Sequence, residues 1–381
     1  MMRRVLHITA WYPNALSAHE APFIERHIAA LARYVPCTVW HCDVRPGPEW
    51  KWMRRGPKAD RSSLVTTPLR RWLIIEWLAT INILFFWYTR DRKEEFDLIN
   101  FHIAYPNCTR IRLLRRLMGK PMVITEHFSA YRFGYRTKSR GALRIKRIFH
   151  AHVPVIVVSR SLAGDIVRFS GARDLPVHVV DNAVDGTIFR PLEGVAREEG
   201  RFLMVAGWRS PKRPDVLLAA LRKLLDQGRR AHLRLVGEGP DLPSLIARIA
   251  ELDLRDHVNL LGPLNEQQVA DEMRRAHALV HASDYETYSA VCAEALSCGT
   301  PVIASAVGGI PEFLSPEHGI LVPENDPDVW ASAWNEAWDK LSTMGNQASR
   351  YMQERAGAGA VGKKYHDILV GIYNEHTNTR R

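Results

Sequence analysis

Residues 279–314 read LVHASDYETYSAVCAEALSCGTPVIASAVGGIPEFL, and this stretch decides the fold. Ala278 to His281 is an apolar run of strand character. Ser283, Asp284 and Thr287 supply loop and capping chemistry. Ala290 to Ser297 reads as a helix, stopped by Gly299 and followed by Pro301, and Val302 to Ala304 opens another strand. Strand, tight loop and helix in that order set the helix's free N–H groups at the strand's carboxyl end, which suits an anion. Glu286 stands at the mouth of that arrangement, and Glu294 lies about two turns into the helix. A carboxylate on so apolar a helix needs a partner. A ligand hydroxyl would serve, and so would a cation of the chain itself; the spacing alone fits both.

Working outward, apolar strands alternate with helical segments along the whole chain, which predicts parallel sheets. First-half strands are expected at Val5–Thr9, Cys37–His41, Leu98–His102, Met122–Thr125 and Val155–Val158. Second-half strands are expected at Phe202–Ala206, Leu233–Val236, Val258–Leu261, Ala278–His281 and Pro301–Ala304. The fold class is therefore α/β, with two doubly wound, Rossmann-like domains facing across a cleft, and ligands at the carboxyl ends of the strands. The domains are set at residues 1–178 and 179–360. Residues 361–381 form a closing helix and tail.

With 381 residues the chain is long enough for two such domains. Its charge is uneven. Residues 1–150 carry 27 Lys and Arg against 11 Asp and Glu, a balance of +16, and the remainder carries 25 against 30. A basic first half points to an anionic partner: an anionic membrane or a phosphorylated acceptor. Nucleic acid is set aside, because neither zinc-finger spacing nor an RNA-binding aromatic signature is present. Five cysteines without a CxxC pair give no disulfide framework and suit a reducing cytosol. The start, MMRRVLHITAWYP, has too short an apolar run for a signal peptide and reads as the first strand.

Glu286 and Glu294, within SDYETYSAVCAEALSCGTPVIASAVGGIPE, resemble the Glu-x7-Glu signature of the retaining family-4 glycosyltransferases, which have the GT-B fold. Six further segments are similar in the same order: ITAWYPNALSAHEAPFIERHIAAL, FDLINFHIAYPN with PMVITEHFSAY, VIVVSRSL, VVDNAVDGTIF, FLMVAGWRSPKRPDVLLAAL and LRLVGEGPDLPSL. The resemblance implies a nucleoside-diphosphate sugar as donor, bound by the second domain. Arg209 and Lys212 would stabilise the diphosphate, with Arg209 a position or two later than usual and Trp208 in the nearby slot. The N–H groups of Tyr288, Ser289 and Ala290, after Thr287, would complete the phosphate site, where the family usually has a glycine-containing turn. Glu286 would bind the sugar hydroxyls and Glu294 the ribose. Gly237 and Gly239, in VGEGP, would let the backbone pass close beneath the nucleotide. In the first domain the resemblance makes His127 an active-site residue, and His102 and Tyr105 would line the acceptor side. Ala21-Pro22 stands where the family commonly has glycine before its first helix.

Trp72 to Tyr88, WLIIEWLATINILFFWY, spans roughly 25 Å as a helix, short of a bilayer core. It reads as a buried helix, an interfacial helix or, least well, a spanning one, since Arg70, Arg71, Arg90, Arg92 and Lys93 flank both ends without an inside–outside bias. Trp50, Lys51, Trp52, Arg54 and Arg55, with Lys58 and Arg61, form either a solvated loop or a headgroup-facing segment. Asp326-Pro327-Asp328 matches a metal-binding Asp-x-Asp but reads as a helix cap with proline at the first position. No cofactor or metal is expected.

The resemblance implies a retaining, metal-independent hexosyltransferase, and the basic first half with the Trp-rich stretch favours a glycan or lipid-linked acceptor at a membrane. The expected setting is bacterial cell-surface, exopolysaccharide or lipopolysaccharide synthesis, in the cytoplasm and peripheral on the inner face of the cell membrane. Two alternatives stay open: a non-catalytic nucleotide- or glycan-binding protein on the same scaffold, and a soluble sugar-phosphate or glucan synthase.

Overall fold

The computed structural model describes residues 2–14, 17, 20–53, 58–69, 72–91, 95–136, 140–341 and 343–378. Of the basic residues singled out above, Arg54, Arg55, Arg70, Arg71, Arg92 and Lys93 lie outside them. The chain forms two compact units: Met1–Ala183 together with Ala358–Arg381, and Val184–Gly357.

The first unit runs β1 (Val5–Thr9), α1 (Pro22–Ala32), β2 (Cys37–Pro46), β3 (Lys51–Met53), β4 (Arg61–Thr67), α2 (Trp72–Thr89), β5 (Leu98–His102), α3 (Ile111–Met118), β6 (Met122–Glu126), α4 (Arg140–Phe149), β7 (Val155–Val157), α5 (Arg160–Ser170) and β8 (Val177–Val179). Its eight strands lie in the order β3-β4-β2-β1-β5-β6-β7-β8, parallel except for β3 against β4. β1, β5 and β6 are buried along their full length, as strands covered on both faces must be. Strand order reverses between β1 and β5. The segments after these strands therefore part at the carboxyl edge, which is where such a sheet offers a binding site. α1 starts at Pro22, and Ala21 ahead of it holds φ 51°, a left-handed backbone that normally favours glycine. The residue that departs from the family's glycine thus adopts the glycine-like conformation.

The second unit runs β9 (Glu198–Val205), α6 (Pro214–Asp226), β10 (His232–Val236), α7 (Leu242–Glu251), β11 (Val258–Gly262), α8 (Glu266–Arg275), β12 (Ala276–His281), α9 (Ala290–Ser297), β13 (Val302–Ser305), β14 (Gly319–Val322), α10 (Pro327–Leu341) and α11 (Asn346–Ala356). The strand order β11-β10-β9-β12-β13-β14 is parallel throughout, with its reversal between β9 and β12. Phe202 packs edge-on to Trp334, with ring centroids 4.6 Å apart, in a core that also buries Trp330 and Trp338 of α10. Asp326 caps α10, accepting from the N–H groups of Asp328 at 2.8 Å and Val329 at 3.2 Å. Asp328 pairs with Lys223 at 2.6 Å.

α12 (Ala358–Asn378) belongs to the first unit and packs against α1. Gly362 makes the approach possible, because a Cβ there would sit 2.1 Å from the Ala30 carbonyl oxygen. Tyr365, three residues on, is fully buried among Val5, Leu31, Leu98 and Val123. Replacing Gly362 with Ala should push α12 off α1 and lower the first unit's stability by about 1–3 kcal/mol, the usual cost of overpacking. Urea denaturation followed by far-ultraviolet dichroism would show it; an unshifted midpoint would mean that the helices separate without strain.

Candidate functional site

At the reversal in the second sheet, backbone hydrogen bonds tie the segment leaving β9 to the segment leaving β12. Lys212 forms an antiparallel bridge with Ser283. Arg213 N donates to the Ala282 carbonyl at 3.0 Å, and Asp284 N to the Pro211 carbonyl at 2.8 Å. This stitching carries the Lys212 ammonium onto Glu286 Oε1. His281, the last residue of β12 and fully buried, reaches the same oxygen through Nε2 at 2.7 Å. Burial alone would raise the Glu286 carboxyl; the charge of Lys212, with His281 behind it, reverses that and brings it down to about 2. Burial, reinforced by Lys212, holds His281 below its ordinary value against the pull of Glu286. A neutral His281 donates from Nε2, and its buried Nδ1 has no partner among the described residues. Both donors meet Oε1, so Glu286 Oε2 faces its surroundings as an ionised acceptor.

The other expected residues of this unit gather around that carboxylate's loop. Arg209 is exposed and makes no ion pair among the described residues, so it is a cation available to a ligand. Lys212 is not, since Glu286 already holds it. The Thr287-Tyr288-Ser289 turn does not crowd the helix start. Tyr288 is buried with its ring 5.0 Å from that of Phe313. Ser289 takes φ 74° at the N-cap of α9 and makes no side-chain cap, while its hydroxyl meets Cys292 Sγ at 3.2 Å. The N-cap residue therefore leaves the first N–H groups of α9, from Ala290 on, without a side-chain cap of its own. Glu294 lies on the buried face of the same helix.

Within the protein itself, Gly237 and Gly239 already have close backbone neighbours. A Cβ on Gly237 would meet the Ala206 carbonyl oxygen at 1.9 Å, and one on Gly239 the Trp208 oxygen at 2.4 Å. Their close approach is to the segment that carries Arg209. Trp208, fully buried, pins the pair of loops by donating from Nε1 to the Gly237 carbonyl at 2.9 Å. Gly308 does similar work on the other side. Its φ is +57°, and a Cβ would sit 1.6 Å from the Glu286 carbonyl oxygen.

The carboxyl edge of the first sheet gathers four buried histidines. His7 of β1 and His102 of β5 approach at 3.0 Å between Nδ1 and Nε2. The His102 and His127 rings stack with centroids 6.0 Å apart, and His27 of α1 lies 5.2 Å from His127. His27 Nε2 donates to the Asp181 carbonyl at 2.7 Å. His127 Nδ1 contacts Asn182 Oδ1 at 3.2 Å, and its Nε2 is buried without a partner among the described residues. Burial is the leading cause that holds all four below the ordinary histidine value, His7 at about 3 and His27 at about 4. They are therefore neutral donors and acceptors near neutral pH. Among the described residues no three His, Cys, Asp or Glu side chains converge as a metal site. Tyr105 stands in the segment after β5, with its ring 6.0 Å from Trp72 and 6.2 Å from Tyr135.

Two residues with large roles here were not apparent in the sequence. His281 ends an apolar strand, and only its place five residues before Glu286 hints at contact. Glu126 precedes His127 and organises the edge. Its carboxylate accepts from the N–H groups of Ala104, His127 and Phe128, each at 2.9 Å, and from the Tyr131 hydroxyl at 2.6 Å.

Residues 24–187 match the Glycosyltransferase Family 4 pattern, and residues 187–355 match Glycosyl transferases group 1. The chain belongs to the group 1/family 4 glycosyltransferases. The D-inositol 3-phosphate glycosyltransferase of Streptomyces bingchenggensis is 36% identical over 188 residues, 44% of this chain. The chain spans 41% of that relative's length and 50% of the like-named protein of Kineococcus radiotolerans. Among solved structures, sucrose-phosphate synthase from Thermosynechococcus elongatus superposes with a TM-score of 0.79 at 20% identity, covering 98% of this chain and 100% of that one. Anabaena HepE in complex with UDP-glucose gives 0.73 at 17% identity, covering 97% and 100%. These structures share the GT-B fold with this family member.

The depressed Glu286 carboxyl fixes a pH dependence. An acid whose folded value lies below its unfolded value stabilises the fold above the unfolded value, and that stabilisation fades as pH falls through the folded one. The window here runs from 4.5 down to about 2. Lys212→Met should raise the Glu286 value and flatten the acid dependence. Urea titrations of the full chain between pH 6 and 3 would report it through tryptophan fluorescence. Equal slopes for wild type and variant would show that the pair contributes nothing.

Proposed function

We propose that the protein transfers a hexosyl group from a nucleoside-diphosphate sugar to a glycan or lipid-linked acceptor, with retention and without a metal. The observation that carries this reading is the ionised Glu286, held by Lys212 and His281 beside the exposed Arg209 and the uncapped start of α9. A donor's leaving diphosphate gains negative charge as the glycosidic bond breaks. Arg209 and the α9 N–H groups are fixed donors for that charge, and Lys212 adds its field from one side chain away. Glu286 Oε2 would accept hydroxyl protons from the sugar, and Glu294 those of the ribose. Anabaena HepE, a protein of the same fold, binds UDP-glucose in its crystal structure, which supports a nucleotide-sugar donor here. In the first unit, His127 would present a neutral Nε2 to the sugar, with His102 and Tyr105 on the acceptor side.

Retention needs no enzyme nucleophile if the acceptor attacks from the face the leaving group departs, with the leaving phosphate taking the acceptor's proton. The +16 balance of residues 1–150 suits an acceptor with a phosphate or a membrane surface behind it. We place the protein in the cytoplasm, peripheral on the inner face of the membrane, in cell-surface glycan or lipopolysaccharide assembly.

Incubating purified protein with a panel of UDP-, GDP- and ADP-sugars and measuring free nucleotide tests the activity. Release with none of them would favour a non-catalytic binding protein. Glu294→Ala should weaken nucleotide binding roughly tenfold to a hundredfold, the cost of about 1.5–3 kcal/mol for a lost charge-assisted hydrogen bond. Calorimetry giving an unchanged affinity in a folded variant would remove the ribose role. EDTA should leave turnover intact. A requirement for added magnesium or manganese that Asp326→Ala abolishes, with the fold preserved, would overturn the metal-free mechanism.

A further inference from the structure

α2 is an inside-out helix. Its one carboxylate, Glu76, is buried, accepts from Arg144 Nε at 2.9 Å and has Arg110 at 4.0 Å. Ile75, Ala79, Ile83, Phe86 and Trp87 are buried with it. The opposite face carries Leu73, Trp77, Ile81 and Phe85 at a spacing of four, flanked by Trp72 and Tyr88. Trp77 is 50% exposed, Ile81 56% and Tyr88 65%. Apolar side chains therefore occupy both faces, whereas a helix packed only against its own protein carries polar side chains on its outward face. The edge strand β3 and the residue before it extend the surface with Trp52 and Trp50, both half exposed. Trp52 is fixed by a 2.7 Å bond from Nε1 to Ser63 Oγ and by its ring contact with Phe85 at 5.8 Å. Between β3 and α2 lies an apolar groove of about 370 Å³, whose lining includes Trp50, Trp52, Leu78, Ile81, Asn82 and Phe85.

We infer that this surface enters an anionic lipid bilayer, with α2 lying in the plane of the interface and the groove taking a lipid hydrocarbon chain. α2 is long and apolar enough to cross a membrane by length and composition, but 44% of it is buried against its own sheet, and its inward glutamate is ion-paired. A helix so bound lies in the interface and does not span it. Four features select lipid. Tryptophan and tyrosine dominate the outward face, as they do at the headgroup level. Cations border it: Lys51 on β3, in the lining of the groove, and Arg110, stacked over Trp77 at 3.8 Å. A second copy pressed against the same face would bring like charge to like charge, since residues 1–150 carry +16. Finally, the face is continuous with the sheet's carboxyl edge, because Trp72 touches Tyr105 and Tyr105 touches Tyr135. A headgroup held at this surface would lie beside the segments that follow β5 and β6. This deepens the lipid-linked acceptor of the proposed function and rests on it for the headgroup's role, but membrane entry itself does not depend on any transfer reaction.

The full chain should sediment with phosphatidylglycerol vesicles and far less with phosphatidylcholine vesicles. High salt should weaken that binding without abolishing it, because salt does not screen the apolar part. The triple variant Trp77→Ser, Ile81→Ser, Phe85→Ser should lose about tenfold or more of its partitioning even in high salt. Its nucleotide release from a donor in vesicle-free solution should match wild type. Phosphatidylglycerol bearing bromine on its acyl chains should quench wild-type tryptophan fluorescence, and Trp50→Phe, Trp52→Phe, Trp77→Phe should remove most of that quenching. Unchanged partitioning of the serine variant would overturn the proposal. So would wild type that ignores both vesicles, or that sediments as a dimer which the serine variant dissociates, the face then belonging to a second copy. Vesicle binding without nucleotide release from any donor would leave the lipid surface standing and remove the transferase reading; release without vesicle binding would do the reverse.

Discussion

Glu286 has lost most of its water and remains ionised because Lys212 sits against it. The second unit's functional edge depends on that pair. The ammonium arrives from the segment after β9 and the carboxylate from the segment after β12, so their attraction spans the one place where the sheet's strand order reverses. Two more constraints keep the pair in position. Gly308 lets a third segment close on the Glu286 backbone, and Trp208 locks the Arg209 segment to the turn holding Gly237 and Gly239. With both donors, Lys212 and His281, committed to Oε1, the second oxygen of the carboxylate is held in place as a preorganised acceptor.

The first unit has its own charge pairing at the end of β2, where Arg45 meets Asp43 and Glu20, but the edge around β1, β5 and β6 is organised differently. Four histidines, kept neutral by burial, sit where β1, β5, β6 and α1 converge, and Glu126 fixes the segments around them by accepting four hydrogen bonds. The large positive balance of this half is therefore carried by surface lysines and arginines, away from the histidine cluster. The two kinds of chemistry are separated: hydrogen bonding at the sheet edge, and long-range attraction over the outer face.

Much of this was legible in the chain because parallel strands announce themselves as continuous apolar runs. The segments Val5–Thr9, Leu98–His102 and Leu233–Val236 read directly as strands. β3, β4, β8 and β14 did not. β4 is RSSLVTT, whose polar half hides its pairing with β2; β3 and β8 are three residues long, and β14 is four. Among the site residues, Glu286 and Glu294 stood out by chemical type against their surroundings, and Arg209 and Lys212 through the family resemblance. The partner of Glu286 did not, because the distance from Lys212 to Glu286 is 74 positions in sequence and a loop's width in space. His281 was hidden as the last letter of an apolar strand. α2 was ambiguous for a different reason: apolar side chains surround it on all sides, so its sequence carries no period that says which face turns outward, and the packing against β2 had to settle it.

The return of α12 to the first unit has a consequence for how the protein is made. Tyr365 meets the Thr125 hydroxyl at 2.6 Å, lies with its ring 5.3 Å from that of His27, and stands among core side chains of β1, β5 and β6. A ribosome releases residues 1–183 long before it reaches Tyr365. The first unit is therefore translated first but completed last, and the second unit, whose residues 184–357 are contiguous, can close while its neighbour still waits for a buried side chain. Until residues 358–378 emerge, the sheet edge that bears His127 is exposed on the side that α12 later covers. The first unit's core is thus assembled from two stretches of chain separated by the whole of the second unit, and the histidine edge is packed as described only once residues 358–378 have joined it.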